Sequence, residues 1–307
     1  MFSETLRIAT RQSPLALWQA NYVRDLLLNK YPNMDIELVP MSTSGDKFLI
    51  DKLQAIGGKG LFVKELEEAL LDKRADIAVH SSKDMPAEFP EGLSLAAICK
   101  RDNPFDVLVS YEYTNLQSLP AQSIVGTSSL RRQSQLLAFR PDLCVKSLRG
   151  NINTRLEKLK SGEYQAIILA AAGLERMGFT DVIKEQLSPE FMLPACGQGA
   201  LAIECRTDDR EIQKLVAELD DPISSICVYA ERKVNALLGG NCHVPLAVYC
   251  VPLDNKQLSL HAKILTLDGS KIIESLQTGA LDQSLNLAEQ CAESLLQQGA
   301  ADLLASV

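Results

Sequence analysis

A short apolar strand, a hydroxyl-rich turn and an amphipathic helix follow one another twice in this chain. In the first copy, Leu6-Arg7-Ile8-Ala9 runs into Thr10-Arg11-Gln12-Ser13-Pro14. A helix with Leu15, Leu17, Val23 and Leu26 to Leu28 on its apolar side follows. In the second copy, Ile124-Val125-Gly126 runs into Thr127-Ser128-Ser129 and a helix through Leu137. TRQS in one copy echoes TSSLRRQS in the other. Strands alternating with helices call for an open α/β sheet. The echo predicts two related α/β domains facing each other across a cleft, and such sheets place ligands beyond the carboxyl ends of their strands.

The second copy is also where cations gather. Residues 124 to 155 read IVGTSSLRRQSQLLAFRPDLCVKSLRGNINTR. Ser129 and its neighbours sit where the free N–H groups of a helix start point outward, which is an anion seat by geometry. Arg131 and Arg132 lie just inside that helix, where its dipole disfavours cations. Arg149 and Arg155 flank a Gly/Asn turn, and Arg176 follows the buried strand within Tyr164 to Ala172. The chain as a whole carries a formal charge of -8. Basic residues collected at strand ends of an acidic protein point to a bound anion, and arginine suits bidentate recognition of carboxylate or phosphate. A solvated helix face is the plainer alternative.

At 307 residues and 46% hydrophobic content the chain has room for two or three domains with real cores. Its acidity argues against a nucleic-acid surface. No apolar run reaches membrane-spanning length, and MFSETLRIATRQ carries no apolar signal segment. Eight cysteines are scattered without metal-ligand spacing, and three histidines are too few for a metal cluster. A reduced, cytoplasmic enzyme or binding protein, free of metal, is the expectation.

Along the first segment, Ser13 is a good N-cap and Pro14 suits the first helical position. Ile36 to Val39 is a second strand. Ser42 to Leu61 is punctuated by glycines and carries Lys47, Lys52 and Lys59. It reads as a lid over an anionic ligand, with Lys59 as a lid residue, or as a loop with solvated lysines. A helix is expected over Phe62 to Leu71. Asp76 to His80 is a strand, and Ser81-Ser82-Lys83-Asp84-Met85-Pro86 follows its carboxyl end. A carboxylate on so stiff a loop can hold an ammonium or iminium ion and pass a proton. Asp84 can equally be a turn former. His80 reads as a core histidine.

Leu93 to Ile98 and Phe105 to Val109 are strands on either side of a crossing at Arg101 to Pro104. The return at Leu193 to Ala200 lets Ala200 to Glu204 rejoin the first sheet, which makes that domain discontinuous. The expected division is 1–99 with 200–217, then 105–193, then 218–307. In the last part a helix over Pro222 to Leu238 ends at Gly239-Gly240-Asn241-Cys242-His243-Val244-Pro245. Leu246 to Cys250 and Leu258 to Leu267 form a strand pair, with a helix around Leu285 to Leu296, giving a small α+β domain. Cys242, in a glycine-rich turn, is a nucleophile, an attachment point or a plain buried thiol.

RIATRQSPLALWQ, HSSKDMP, GTSSLRRQ, LRGNINTRL, AAAGLERM, PACGQGAL and LGGNCHVP together resemble the porphobilinogen deaminase (hydroxymethylbilane synthase) family, in family order and over almost the whole chain. The resemblance implies two periplasmic-binding-protein-like domains and a third that carries a dipyrromethane cofactor. It implies head-to-tail condensation of four porphobilinogen molecules, loss of ammonia at each step and hydrolytic release of a linear tetrapyrrole. It implies a thioether from the cofactor to Cys242 and a catalytic carboxylate at Asp84. It assigns binding of acid side chains to Arg11, Ser13, Lys83, Ser129, Arg131, Arg132, Arg149, Arg155 and Arg176. The expected partner is small-molecule porphobilinogen, with no nucleic acid, no membrane and a monomeric chain. Two rivals stand beside it: a non-catalytic anion-binding protein, and a cysteine-nucleophile transferase or hydrolase with His243 as its base. The second is disfavoured because adjacent residues of an extended segment point to opposite faces.

Overall fold

The computed structural model describes residues 5–43, 63–239, 244–254 and 256–305. Among them, the chain first lays down β1 (Leu6–Arg11), β2 (Ile36–Met41), β3 (Ile77–Ser81) and β4 (Leu93–Ile98). It continues through β5 (Asp106–Val109), β6 (Ile124–Gly126), β7 (Cys144–Lys146), β8 (Ala166–Ala170) and β9 (Ile183–Gln186). Then come β10 (Leu201–Arg206), β11 (Leu246–Pro252), β12 (Gln257–Leu265) and β13 (Ile272–Ala280). The helices are α1 (Pro14–Lys30), α2 (Lys64–Leu71), α3 (Leu130–Phe139), α4 (Ile152–Lys160) and α5 (Ala171–Arg176). They are followed by α6 (Arg210–Ala217), α7 (Pro222–Leu237), α8 (Ser284–Gln297) and α9 (Ala300–Ala305).

The chain divides into two compact units, Met1–Arg101 with Ala200–Ser225, and Asp102–Gly199 with Ile226–Val307. The first holds a five-stranded sheet in the order β2-β1-β3-β10-β4. The second holds a five-stranded sheet in the order β7-β6-β8-β5-β9, and a three-stranded one, β11-β12-β13. In each five-stranded sheet the first three strands are parallel and the fourth is antiparallel to both of its neighbours. The sequence echo therefore reports a real duplication of architecture. The odd strand in each sheet, β10 or β5, is the first one after the chain passes from one unit to the other.

Burial follows from covering both sheet faces. Every residue of β10 is buried, as are Ile77 to His80 of β3 and Ala166 to Leu169 of β8. On one face of the first sheet, Leu6, Ile8, Ile77, Val79, Ile203 and Cys205 pack against Ala20, Val23 and Leu27 of α1 and Ile212 and Val216 of α6. On the other, Ala9, Ala78 and Leu93 meet Leu66, Ala69 and Leu70 of α2. Each fully buried leucine or isoleucine contributes about 1.5–3 kcal/mol.

The α2 face also buries charge. His80 Nε2 lies 3.0 Å from Glu204 Oε2, and both residues are buried. Glu67 of α2 is buried too, and its Oε1, like Glu204 Oε1, finds no hydrogen-bond partner among the described residues. Burial first, then the Glu204 charge, pushes the Glu67 carboxyl from its ordinary 4.5 up to about 7, against a smaller opposing pull from His80. The folded state therefore favours protonated Glu67. That stabilisation is complete below about pH 4.5 and is lost as pH rises through about 7. Glu67→Gln is expected to flatten the fall in unfolding midpoint between pH 5 and pH 8. Identical pH profiles for parent and variant would show that Glu67 does not control it.

The carboxy-terminal part corrects the sequence reading. Instead of a strand pair there are three antiparallel strands, because Ile272–Ala280 pairs along its whole length with β12. Leu258, Leu260, Ala262 and Ile264 of β12 turn to a core shared with Leu287, Cys291 and Leu295 of α8. No helix among the described residues is long and apolar enough to cross a membrane.

Candidate functional site

In the first unit, β1 and β3 are adjacent and parallel, so the segments leaving their carboxyl ends emerge at the same sheet edge. Those segments carry Arg11 and Ser13 from one strand and Lys83 and Asp84 from the other. Ser13 caps α1, its Oγ accepting the Ala16 N–H at 3.3 Å, and Pro14 opens the helix as expected. Gln19, 3% exposed on α1, donates from Nε2 to Ser81 Oγ at 2.8 Å and ties that helix to the end of β3. Ser82–Asp84 forms a single 3-10 turn, anchored by the Ser82 N–H donating to the Ala200 carbonyl at 3.0 Å. Asp84 is exposed, and its carboxylate makes no hydrogen bond or ion pair with any described residue. A carboxylate held on an anchored turn with its oxygens unused is equipped to accept from, or pass a proton to, a ligand.

In the second unit, β7, β6 and β8 are adjacent and parallel, and their carboxyl ends feed α4, α3 and α5. One sheet edge therefore receives Arg149 and Arg155, then Ser129, Arg131 and Arg132, then Arg176. Gly126 lets β6 pass closely under its neighbours, since a Cβ there would lie 2.8 Å from the Tyr164 ring and 2.9 Å from Ile167. Ser129 caps α3 by accepting the Arg132 N–H at 3.4 Å. The hydroxyl turn is thus a helix cap, as the sequence implies.

The sequence missed the partner of the two helix arginines. Asp106, fully buried at the start of β5, accepts from Arg131 Nη1 at 2.7 Å, Arg132 Nη2 at 2.7 Å and Arg132 Nε at 3.0 Å. Burial alone would raise its pKa, but the two guanidinium groups overcome that and hold it well below the usual carboxylate range. Arg131 Nη1 also donates to the Leu193 carbonyl at 2.7 Å, and Arg132 Nη1 to the Ile168 carbonyl at 3.0 Å. Two guanidinium groups and one carboxylate leave one net positive charge.

The other arginines differ among themselves. Arg155 donates from Nε to the Gly150 carbonyl at 2.7 Å. Arg149 is half-buried, and its guanidinium makes no hydrogen bond or ion pair with a described residue. Arg176 is bound from Nε and Nη2 to Asp102 Oδ2 at 3.0 and 2.8 Å, and from Nη2 to the Gly199 carbonyl at 2.7 Å. Gly199 has φ +91°, and a Cβ on it would lie 2.7 Å from the Asp102 carbonyl, so this junction admits only glycine. Cys242, His243 and Lys59 lie outside the described residues.

A family model described as "Porphobilinogen deaminase, dipyromethane cofactor binding domain" matches residues 6–214, and one described as "Porphobilinogen deaminase, C-terminal domain" matches residues 225–297. The porphobilinogen deaminase of Legionella pneumophila strain Paris is 64% identical over 307 residues, 100% of this chain and 99% of the relative. Its counterpart in strain Philadelphia 1 is 63% identical over the same spans. Among solved structures, a putative methionine-binding lipoprotein from Bacillus subtilis is 14% identical, covering 71% of this chain and 91% of its own, at a TM-score of 0.45.

Proposed function

The chain belongs to the porphobilinogen deaminase family, and on that premise we propose which of its residues carry out the reaction. The enzyme condenses four porphobilinogen molecules head to tail on a covalent dipyrromethane primer, releases ammonia at each addition and frees the linear tetrapyrrole hydroxymethylbilane by hydrolysis. When bound, the dipyrromethane supplies the free α-carbon on which the chain grows. The residues present fit such a group: the cations at each sheet edge suit acetate and propionate arms, and the Asp84 carboxylate suits pyrrole N–H groups, which need an acceptor.

Asp84 is the catalytic carboxylate in this reading. The observation that carries it is the exposed carboxylate on the anchored turn after β3, which pairs with no described residue. It accepts hydrogen bonds from pyrrole nitrogens, protonates the departing amine and stabilises the cation left behind. Arg11, Ser13 and Lys83 bind acid arms in the first unit. Ser129, Arg131, Arg132, Arg149, Arg155 and Arg176 do so in the second, the arginines through charge-assisted bonds to carboxylates. Cys242 carries the thioether, Lys59 serves a lid, and the three-domain division at 1–99 with 200–217, 105–193 and 218–307 separates these tasks. Eight cysteines scattered without metal-ligand spacing support a reduced, cytoplasmic setting, and the enzyme is read as a monomer.

The intact mass of the purified chain tests the reading. A covalent adduct of dipyrromethane mass, together with ammonia release from porphobilinogen, is the expected result. A chain of bare mass that binds but does not consume porphobilinogen would favour a simple binding protein. Arg149→Leu removes a guanidinium that makes no bond to any described residue, so its unfolding midpoint should stay close to the parent. Its KM for porphobilinogen should rise about tenfold or more, the worth of a charge-assisted bond. A normal KM and a normal ladder of enzyme-bound intermediates would remove Arg149 from the site.

A further inference from the structure

Asp106 sets a carboxylate among cations that are meant for carboxylates. It cancels half of the positive charge of Arg131 and Arg132 and so compensates one buried guanidinium. Helix geometry gives it a second task. Arg131 and Arg132 are consecutive on α3, and consecutive side chains leave a helix about 100° apart. Without a shared partner they diverge. Both nevertheless reach the one buried carboxylate, Arg131 through Nη1 alone and Arg132 through Nε and Nη2. Asp106 is itself held in place. Gln198, 1% exposed, donates from Nε2 to Asp106 Oδ1 at 3.0 Å and to the Pro104 carbonyl at 2.6 Å. These bonds leave Arg131 Nε and Nη2 without a hydrogen-bond partner among the described residues.

We propose that Asp106 is a positioning residue of the condensation: it converges Arg131 and Arg132 and presents the open Nε–Nη2 edge of Arg131 to a carboxylate of the pyrrole chain, with Gln198 orienting Asp106 in turn. This rests on the reading that these arginines bind acid arms. A guanidinium already ordered by the fold loses little side-chain freedom on meeting its ligand, and an edge with two parallel N–H donors matches a carboxylate. The local net charge stays at one positive, enough to attract an anion while leaving no second guanidinium buried and uncompensated.

The test compares cofactor-loaded Asp106→Asn, Asp106→Glu and Gln198→Leu with the parent, measuring unfolding midpoint, KM and kcat for porphobilinogen. A purely structural Asp106 would lower the midpoints and leave the KM of the folded enzyme alone. Positioning predicts that KM rises about tenfold in Asp106→Asn and is partly recovered in Asp106→Glu, which restores the charge. Gln198→Leu keeps the carboxylate and its two arginines, so it should remain folded, and its KM should rise about three- to tenfold as the carboxylate loses one orienting hydrogen bond. If Asp106→Asn cannot be obtained folded, the other two variants decide. Parent-like KM in every folded variant overturns the proposal. Arg131→Leu locates the fault: a raised KM there confines the failure to Asp106, and a parent-like KM removes the arginine reading as well.

Discussion

Asp84→Asn is expected to condense porphobilinogen about a thousandfold more slowly than the parent, within the range for loss of a general acid and base. The substitution keeps the size of the side chain and removes both its charge and its proton-transfer capacity. Its effect should fall on chemistry and spare the fold, because the Asp84 carboxylate supports no bond to any described residue. Asp84→Glu keeps the charge and displaces it by one methylene. It should retain measurable activity and still be slower than the parent, since a shift of about 1 Å in a catalytic group can cost about a hundredfold. Single-turnover addition of porphobilinogen to cofactor-loaded variants separates this step from cofactor assembly. An Asn variant that reacts at the parental rate would take Asp84 out of the mechanism.

Cys242→Ser is expected to yield a chain without the covalent dipyrromethane and, in consequence, without turnover. A hydroxyl is a far poorer nucleophile than a thiolate at neutral pH, so the bond to the primer should not form. The strand core of the same unit rests on Leu258, Leu260, Ile264, Leu287 and Leu295, so folding should survive. Intact mass gives the answer directly, and circular dichroism checks the fold. A serine variant that keeps the full dipyrromethane mass would move the attachment to another residue. Of the other seven cysteines, Cys205 and Cys291 are poor replacements, because burial pushes both thiols up to about 11 and suppresses the thiolate.

These tests probe residues that the sequence could single out, because their signals are local. Ser13-Pro14 and Ser129 announce helix starts through chemistry confined to one turn of chain, and both cap as read. Alternating and continuous apolar runs located β1, β3, β8 and β10 because sheet burial imposes them. The HSSKD and LGGNCHVP motifs brought a function with them through family resemblance. The third strand of the last sheet was less legible. IIESLQTGA shows polar and small residues through its second half, and its pairing comes from β12 rather than from its own apolar content.

Asp106 and the Glu67–His80–Glu204 group were beyond reach of the sequence. Asp106 meets Arg131 and Arg132 across 25 and 26 residues and Gln198 across 92. His80 meets Glu204 across 124. The sequence by itself determined the α/β alternation, the two strand–turn–helix copies and the helix caps, and it named the candidates for binding carboxylates. Only the tertiary structure decided which cations the protein neutralises for itself, which carboxylates it leaves open, and how far a buried acid departs from its ordinary pKa. The reason is physical. Propensity and capping act between neighbours along the chain, whereas the energy of a charge is set by whatever packs against it in space.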